Sequence, residues 1–188
     1  MRCEMKSPLF LRIVQDLLAD RTRVKISRRE VFAYSDTLVG ELKKSYNPDV
    51  VIAIDMGGSV PGERIAETLD IPVRHLLVRR NITIARRYSL DPIPLRWIMS
   101  LYHHYLFQTV KPLVSAQSNG YVSGKKVLIV DVSLHTGATI DVAIEYLTAA
   151  GAEEIKVSTL AYVASRKPDF SILPRGNYSF PWSKDYED

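Results

Sequence analysis

Apolar positions along the chain change their spacing several times, and each change marks an element boundary. Leu9, Phe10, Ile13, Val14, Leu17 and Leu18 recur at helical spacing, which predicts an amphipathic helix over 8–19. Ser27 followed by Glu30 is a capping-box signature, so a second helix is expected to run from there to about Ser45, with Val31, Phe32, Tyr34, Leu38, Val39 and Leu42 along it. Asn47-Pro48-Asp49 closes it with a turn. Residues 50–54 are then uninterruptedly apolar, as a short buried strand would be, and lead into Asp55-Met56-Gly57-Gly58-Ser59-Val60-Pro61-Gly62. Adjacent glycines let the backbone approach another group closely, Pro61 suits a first helical turn, and a helix is expected over 63–69. A further strand over 73–78 ends at Arg79-Arg80.

The second half repeats the scheme. Val127-Leu128-Ile129-Val130 predicts a fully buried strand, and the polar Asp131, Ser133, His135, Thr136 and Gly137 that follow predict a turn. From Thr139 the period becomes helical through Ile140, Ala143, Ile144 and Leu147, with a stop at Gly151 and another strand over 155–163. Residues 81–122 make a long connection of the kind that is usually functional or mobile. Part of it is expected to be helical, since Leu95, Ile98, Met99, Tyr102, Tyr105 and Leu106 have that spacing between prolines at 92, 94 and 112. Strands alternating with helices predict one α/β domain over 1–188, a mostly parallel sheet with helices on both faces. Its ligands are expected beyond the carboxyl ends of the strands.

Composition narrows the class. A chain of 188 residues, 46% hydrophobic and 24% charged, is long enough for a proper core and ordinary for a soluble domain. No apolar run reaches the roughly 18–20 residues of a membrane span. Glu4 and Asp16 interrupt the N-terminal apolar residues and no signal-peptide pattern is present, so a cytoplasmic protein that does not touch membranes is expected. Cys3, the single cysteine, excludes an internal disulfide. The net charge of +4 suits anionic ligands. Basic clusters at 21–29, 79–87 and Lys125-Lys126 lack an RNA-binding aromatic motif or a helix-turn-helix, so nucleic acid is not the expected partner. Neighbouring His103 and His104 would point about 100° apart on a helix, a poor arrangement for metal ligands.

A strand, a turn with threonine and glycine, and a helix start together form a phosphate cradle, because free backbone N–H groups and the positive end of the helix dipole converge there. A glycine at such a turn can equally serve tight packing alone. The full pattern is more specific: an apolar strand, Asp131, a spacer and Thr136-Gly137-Ala138-Thr139 resembles the phosphoribosyl-pyrophosphate loop of type I phosphoribosyltransferases. By that resemblance Ser133, Leu134, Thr136, Gly137, Ala138 and Thr139 belong to the phosphate loop, and Asp131 holds the ribose hydroxyls. Gly57-Gly58-Ser59-Val60-Pro61-Gly62 is similar to the pyrophosphate loop of bacterial xanthine-guanine phosphoribosyltransferase and its archaeal relatives, which assigns Gly57 and Gly58 to pyrophosphate. After the strand over 155–163, Lys167 matches the lysine that binds the oxygen of the base, with Arg166 as the alternate. The close, Phe180-Pro181-Trp182, resembles that of 6-oxopurine enzymes, so Tyr178 is the candidate to stack on the purine and Trp182 to anchor the hood; alternatively all these aromatics are core.

The resemblance covers most of residues 30–182 and implies the type I phosphoribosyltransferase fold with a small C-terminal hood over 164–188. It further implies Mg²⁺, contacted by Asp131 indirectly through ribose hydroxyls or water, a homodimer, and a flexible loop within 81–122. Arg79, Arg80, Arg86 and Arg87 would either face pyrophosphate or form a solvated basic surface. The implied activity is transfer of phosphoribosyl from phosphoribosyl pyrophosphate to a purine, of the 6-oxopurine class. The alternative is a non-catalytic sensor that binds a nucleotide or phosphoribosyl pyrophosphate on the same fold.

Three positions depart from the family pattern. Val132 stands where a second acid is usual, and it offers no hard oxygen to ribose or Mg²⁺. His135 replaces the usual aspartate near the base, although an imidazole can still transfer a proton near neutral pH. Met56 replaces the Arg or Lys before the glycine pair, leaving backbone donors there.

Overall fold

The computed structural model describes residues 24–79, 113–114, 121–163, 167–183 and 186. The expected helix over 8–19, Cys3, most of the connection over 81–122 with His103, His104, Arg86 and Arg87, and also Arg80 and Arg166, lie outside the described residues. In chain order the described elements are β1 (Val24–Lys25), α1 (Arg28–Ser45), β2 (Val50–Ile54), α2 (Ser59–Leu69), β3 (Val73–Leu76), β4 (Val78–Arg79), β5 (Leu113–Val114), β6 (Lys126–Leu134), α3 (Ala138–Ala149), β7 (Glu154–Tyr162), β8 (Phe170–Ser171) and β9 (Tyr178–Ser179).

Five of the strands form one sheet in the order β3-β2-β6-β7-β8, every pair parallel. All residues of β2 are buried, because helices cover both faces and a strand buried on both sides has no polar face. Val51, Leu128 and Val130 pack with Val31, Leu38 and Leu42 of α1 and Ile65 of α2. Val50, Ile52, Val127 and Ile129 pack on the other face with Ile140, Ala143 and Leu147 of α3. Each fully buried aliphatic side chain of this kind contributes roughly 1.5–3 kcal/mol. The expected α/β architecture with helices on both faces is therefore present.

The capping box forms as expected: the Ser27 backbone N–H donates to Glu30 Oε2 at 2.8 Å, and the Glu30 N–H donates to Ser27 Oγ at 3.3 Å. The guanidinium of Arg64 on α2 clasps both carboxylate oxygens of Asp36 on α1, at 2.8 and 3.0 Å, which fixes the two helices on their shared face. At the amino end of the sheet the buried Tyr46 hydroxyl lies 3.0 Å from the carbonyl of Val127 and 3.3 Å from that of Glu154, tying α1 to both β6 and β7.

Three boundaries differ from expectation. β6 does not stop at Val130 but continues through Asp131, Val132 and Ser133 to Leu134. Its ladder with β7 reaches the same point, with Asp131 opposite Thr159, Ser133 opposite Ala161 and Leu134 opposite Tyr162; backbone pairing, not side-chain polarity, sets the strand's end. α2 starts at Ser59, four residues earlier than 63, with Pro61 in the first turn where its missing N–H is not needed. The strand over 73–78 is two pieces: β3 joins the main sheet, and β4 turns away to pair antiparallel with β5. In the C-terminal region β9 pairs parallel with β1, and the rings of Phe180 and Trp182 stack at 5.8 Å, so Trp182 anchors this region by packing on a buried ring.

Candidate functional site

Neighbouring β2 and β6 both run towards the carboxyl end of the sheet, and the loop after β2 lies on the last residues of β6. After β2, the Asp55 N–H donates to the carbonyl of Leu76, Met56 adopts a φ of 76°, and the Gly58 N–H donates back to the carbonyl of Ile54 at 2.8 Å. This returns the backbone over the end of β6. A Cβ at Gly57 would stand 2.6 Å from Asp131 Oδ1 and 3.0 Å from Val132 Cγ1. A Cβ at Gly58 would run into the carbonyl oxygen of Val130. Gly58 is thus required by space, and Gly57 is held close against two side chains of β6. Because the Gly58 N–H is engaged within the loop, what Gly58 supplies is close approach and not a donor.

Asp131 lies beneath this loop, partly buried. Its Oδ1 accepts from the Val132 N–H at 2.7 Å. Removal from water pushes its carboxyl up to about 7, and the Val132 N–H opposes that only in part. A carboxyl that changes charge near neutrality, placed beneath a loop at the carboxyl end of the sheet, marks a candidate binding or reacting centre. Val132 turns its side chain to Gly57 and to the α1-side core, and brings no second carboxylate.

The loop after β6 is built differently. His135 and Thr136 are exposed, and Gly137 takes the left-handed conformation at a φ of 84° to turn the chain into α3. The Ala138 N–H reaches Thr136 Oγ1 at 3.4 Å, while Thr139 sits partly buried in the first turn of α3. A helix start leaves its first N–H groups without intrahelical partners, which is what an anion needs. Ser133 and Leu134, expected in the phosphate loop, are strand residues: the Leu134 side chain is buried in the core on the α3 side, and its carbonyl accepts from the Val163 N–H at 2.8 Å. Their polarity and position in sequence suggested a turn, but the pairing with β7 keeps them in the sheet.

Lys167 is exposed and lines a cavity of about 180 Å³ together with Gly137 and Asp141 at the start of α3, and with Asp169. This brings one expected base-binding residue to the start of α3. Tyr178 is elsewhere: it packs against the core on the α1 side, and its hydroxyl donates to the carbonyl of Pro174 at 3.2 Å. Burial pushes its phenol up, with Tyr34 nearby adding to the effect. Lys167 and Tyr178 therefore stand on opposite faces of the sheet, and no direct contact joins them.

A group missed in the sequence surrounds the loop after β2. His75 on β3 places Nδ1 3.1 Å from Asp55 Oδ1 and 3.4 Å from Ser59 Oγ, and Nε2 3.4 Å from Glu63 Oε1. The four residues are scattered through two strands' ends and a helix, and the one available signal was a histidine inside an edge strand. Among the described residues no cluster of three or more histidine, cysteine or acidic side chains is arranged to hold a metal ion, and no helix is long and apolar enough to cross a membrane.

The family model described as phosphoribosyl transferase domain matches residues 23–183. Comparison with curated proteins found no match. Among solved structures, a purine phosphoribosyltransferase from Pyrococcus horikoshii is similar at 26% identity and a TM-score of 0.67, over 88% of this chain and 97% of that one. The xanthine-guanine-hypoxanthine phosphoribosyltransferase of Helicobacter pylori shares the fold at 14% identity and a TM-score of 0.59, over 87% of this chain and 95% of that one. A Neisseria gonorrhoeae protein solved with bound ppGpp shares it at 16% identity and a TM-score of 0.61, over 87% and 92%.

Proposed function

The chain belongs to the phosphoribosyl transferase domain family of enzymes, and from that premise we propose that it transfers phosphoribosyl from phosphoribosyl pyrophosphate to a purine of the 6-oxopurine class. The observation that carries this reading is the seating of the loop after β2 on the end of β6: Gly57 rests on the Asp131 carboxylate, so a pyrophosphate at that loop and a ribose phosphate at the loop after β6 would meet over one acid. In the reaction a base nitrogen displaces pyrophosphate from the ribose, and the transition state carries positive charge on the sugar. Such a reaction is accelerated chiefly by positioning and by electrostatics already in place.

The roles divide as follows. The N–H groups around Gly137, Ala138 and Thr139, with the Thr136 hydroxyl, hold the 5′-phosphate. Asp131, ionised, accepts hydrogen bonds from the ribose hydroxyls. The backbone of Met56 and Gly57 faces pyrophosphate, Lys167 the oxygen of the base, and Tyr178 closes the hood side; His135, exposed beside the phosphate loop, is available for proton transfer to the base. Mg²⁺, which the family uses with this substrate, fits the residues present. It commonly takes one or two carboxylates plus substrate oxygens, and Asp131 would reach it through ribose hydroxyls or water. When bound it neutralises charge on the pyrophosphate. The resemblance also supports a homodimer in the cytoplasm, which light scattering after size exclusion checks for the first part.

The experiment is to incubate the protein with Mg²⁺, phosphoribosyl pyrophosphate and a mixture of hypoxanthine, guanine, xanthine, adenine, uracil and orotate, and to search for nucleotide masses. Inosine, guanosine or xanthosine monophosphate supports the reading; a pyrimidine or adenine nucleotide alone replaces the base. A second reading, a sensor that binds phosphoribosyl pyrophosphate or a nucleotide without turnover, is favoured by Val132 in place of a second acid. Saturable binding with no product distinguishes it.

A further inference from the structure

We infer that His75 is a positioning residue for the pyrophosphate side of this site, closing the loop over 55–59 like a buckle. The inference rests on the reading of that loop as the pyrophosphate holder. His75 stands opposite Ala53 in the ladder between β3 and β2, so its side chain emerges beside the point where β2 ends. Its Nδ1 touches both ends of the loop, Asp55 Oδ1 at 3.1 Å and Ser59 Oγ at 3.4 Å. On its other side Nε2 faces Glu63, one turn further along α2, at 3.4 Å. A proton on Nδ1 lets the imidazole donate to Asp55 and share that N–H with the Ser59 hydroxyl oxygen, and a proton on Nε2 lets it donate to Glu63.

Between the two clasped ends sits Met56, at a φ of 76° and with 81% of its surface exposed. A side-chain-bearing residue in the left-handed region persists only where its surroundings fix it. On the inner side the loop is fixed by Gly57 and Gly58 lying on β6. Met56 itself is largely exposed, so on the solvent side the loop's geometry is set at its two ends, which the Gly58-to-Ile54 backbone bond and His75 join. The N–H and carbonyl directions of Met56 and Gly57 follow from that closure. They would face the pyrophosphate, and not the base.

The test compares His75→Ala, His75→Asn and His75→Gln. Asparagine places its amide nitrogen near the Nδ1 position and can retain the contacts to Asp55 and Ser59; glutamine reaches the Nε2 position and can retain the one to Glu63. In steady-state assays the alanine variant is expected to raise KM for phosphoribosyl pyrophosphate and the inhibition constant of pyrophosphate by about tenfold, with the KM of the base unchanged. The asparagine variant should return both to within about threefold of the parent, and the glutamine variant should resemble alanine. An equal rise in the KM of both substrates, or asparagine and glutamine behaving alike, overturns the inference. Thermal melting of each variant identifies a general loss of structure, which would also count against it. If the parent makes no nucleotide, the reaction reading fails separately, and calorimetric binding of pyrophosphate with Mg²⁺ takes over as the readout. There a tenfold loss in alanine that asparagine restores supports the buckle, while equal affinities, or no binding by the parent, overturn it.

Discussion

The two glycine-containing loops at the end of the sheet use glycine for opposite reasons. Gly58, at the start of α2, has φ −82° and ψ −10°, angles any residue adopts, yet a Cβ there would strike the Val130 carbonyl. Gly137, at the start of α3, has ample room, its nearest neighbours to a Cβ being 3.7 and 3.9 Å away, yet its φ of 84° disfavours every side chain. The first glycine is dictated by tertiary packing and the second by the local turn. One loop is therefore a packed lid on β6, and the other a bend made by its own backbone conformation. The lesson is that a glycine motif read from sequence does not reveal whether space or backbone conformation demands the glycine.

Substitutions can break this contrast, and the largest effect is expected at Gly58. Gly58→Ala forces backbone apart from backbone and should destabilise the fold by about 3 kcal/mol or more, visible as a lowered urea midpoint. A melting curve unchanged by that substitution would show that the loop does not lie on β6.

Asp131→Asn sharpens the contrast by separating the lid's packing from its chemistry. The folded carboxyl, near 7 against an ordinary 3.8, is raised. The stability tied to its neutral form is thus fully present below about pH 4 and is lost as pH rises towards 7. Asparagine removes that loss. The shift corresponds to at most about 4 kcal/mol, and water at the accessible edge of the carboxyl reduces it to about 1–2 kcal/mol at pH 8. The variant should melt higher than the parent at pH 8, equal it near pH 4, and lose at least about 10²-fold in turnover. In the parent, kcat/KM should rise with pH through about 7 as Asp131 ionises.

Gly57→Ala falls next. Its Cβ meets the end of a flexible carboxylate at 2.6 Å and a valine methyl at 3.0 Å, so the neighbours can yield. A stability loss of about 1 kcal/mol is expected, together with a rise in KM for phosphoribosyl pyrophosphate, because Asp131 is displaced. Gly137→Ala should cost a similar amount, about 1 kcal/mol, with Gly137→Asn milder because asparagine tolerates the left-handed region. If alanine and asparagine prove equally harmful at Gly137, space and not conformation is the reason for glycine there.

Much of the fold was legible because its determinants are local. The capping box at Ser27 and Glu30, the apolar run of β2 and the helical period of α3 involve residues within a few positions of one another, and each formed as read. The end of β6 was misread because Asp131 and Ser133 look like turn residues, and only the ladder to β7 keeps them in a strand. Lys167 and Tyr178 were read together as base-binding residues, but the chain passes from one face of the sheet to the other between them. Nothing in the spacing of the two residues records that crossing.

By itself the sequence determined the order of strands and helices and the presence of a glycine-containing loop after β2 and after β6, since neighbouring residues fix hydrophobic period and turn chemistry. Only the tertiary structure decided that the loop after β2 lies on β6, that Gly58 is there for space, that Asp131 is shielded and raised, and that His75 reaches Asp55, Ser59 and Glu63. Those facts depend on which strands lie side by side. That is settled by burying both faces of one sheet at once, a condition on the whole chain that no local stretch contains.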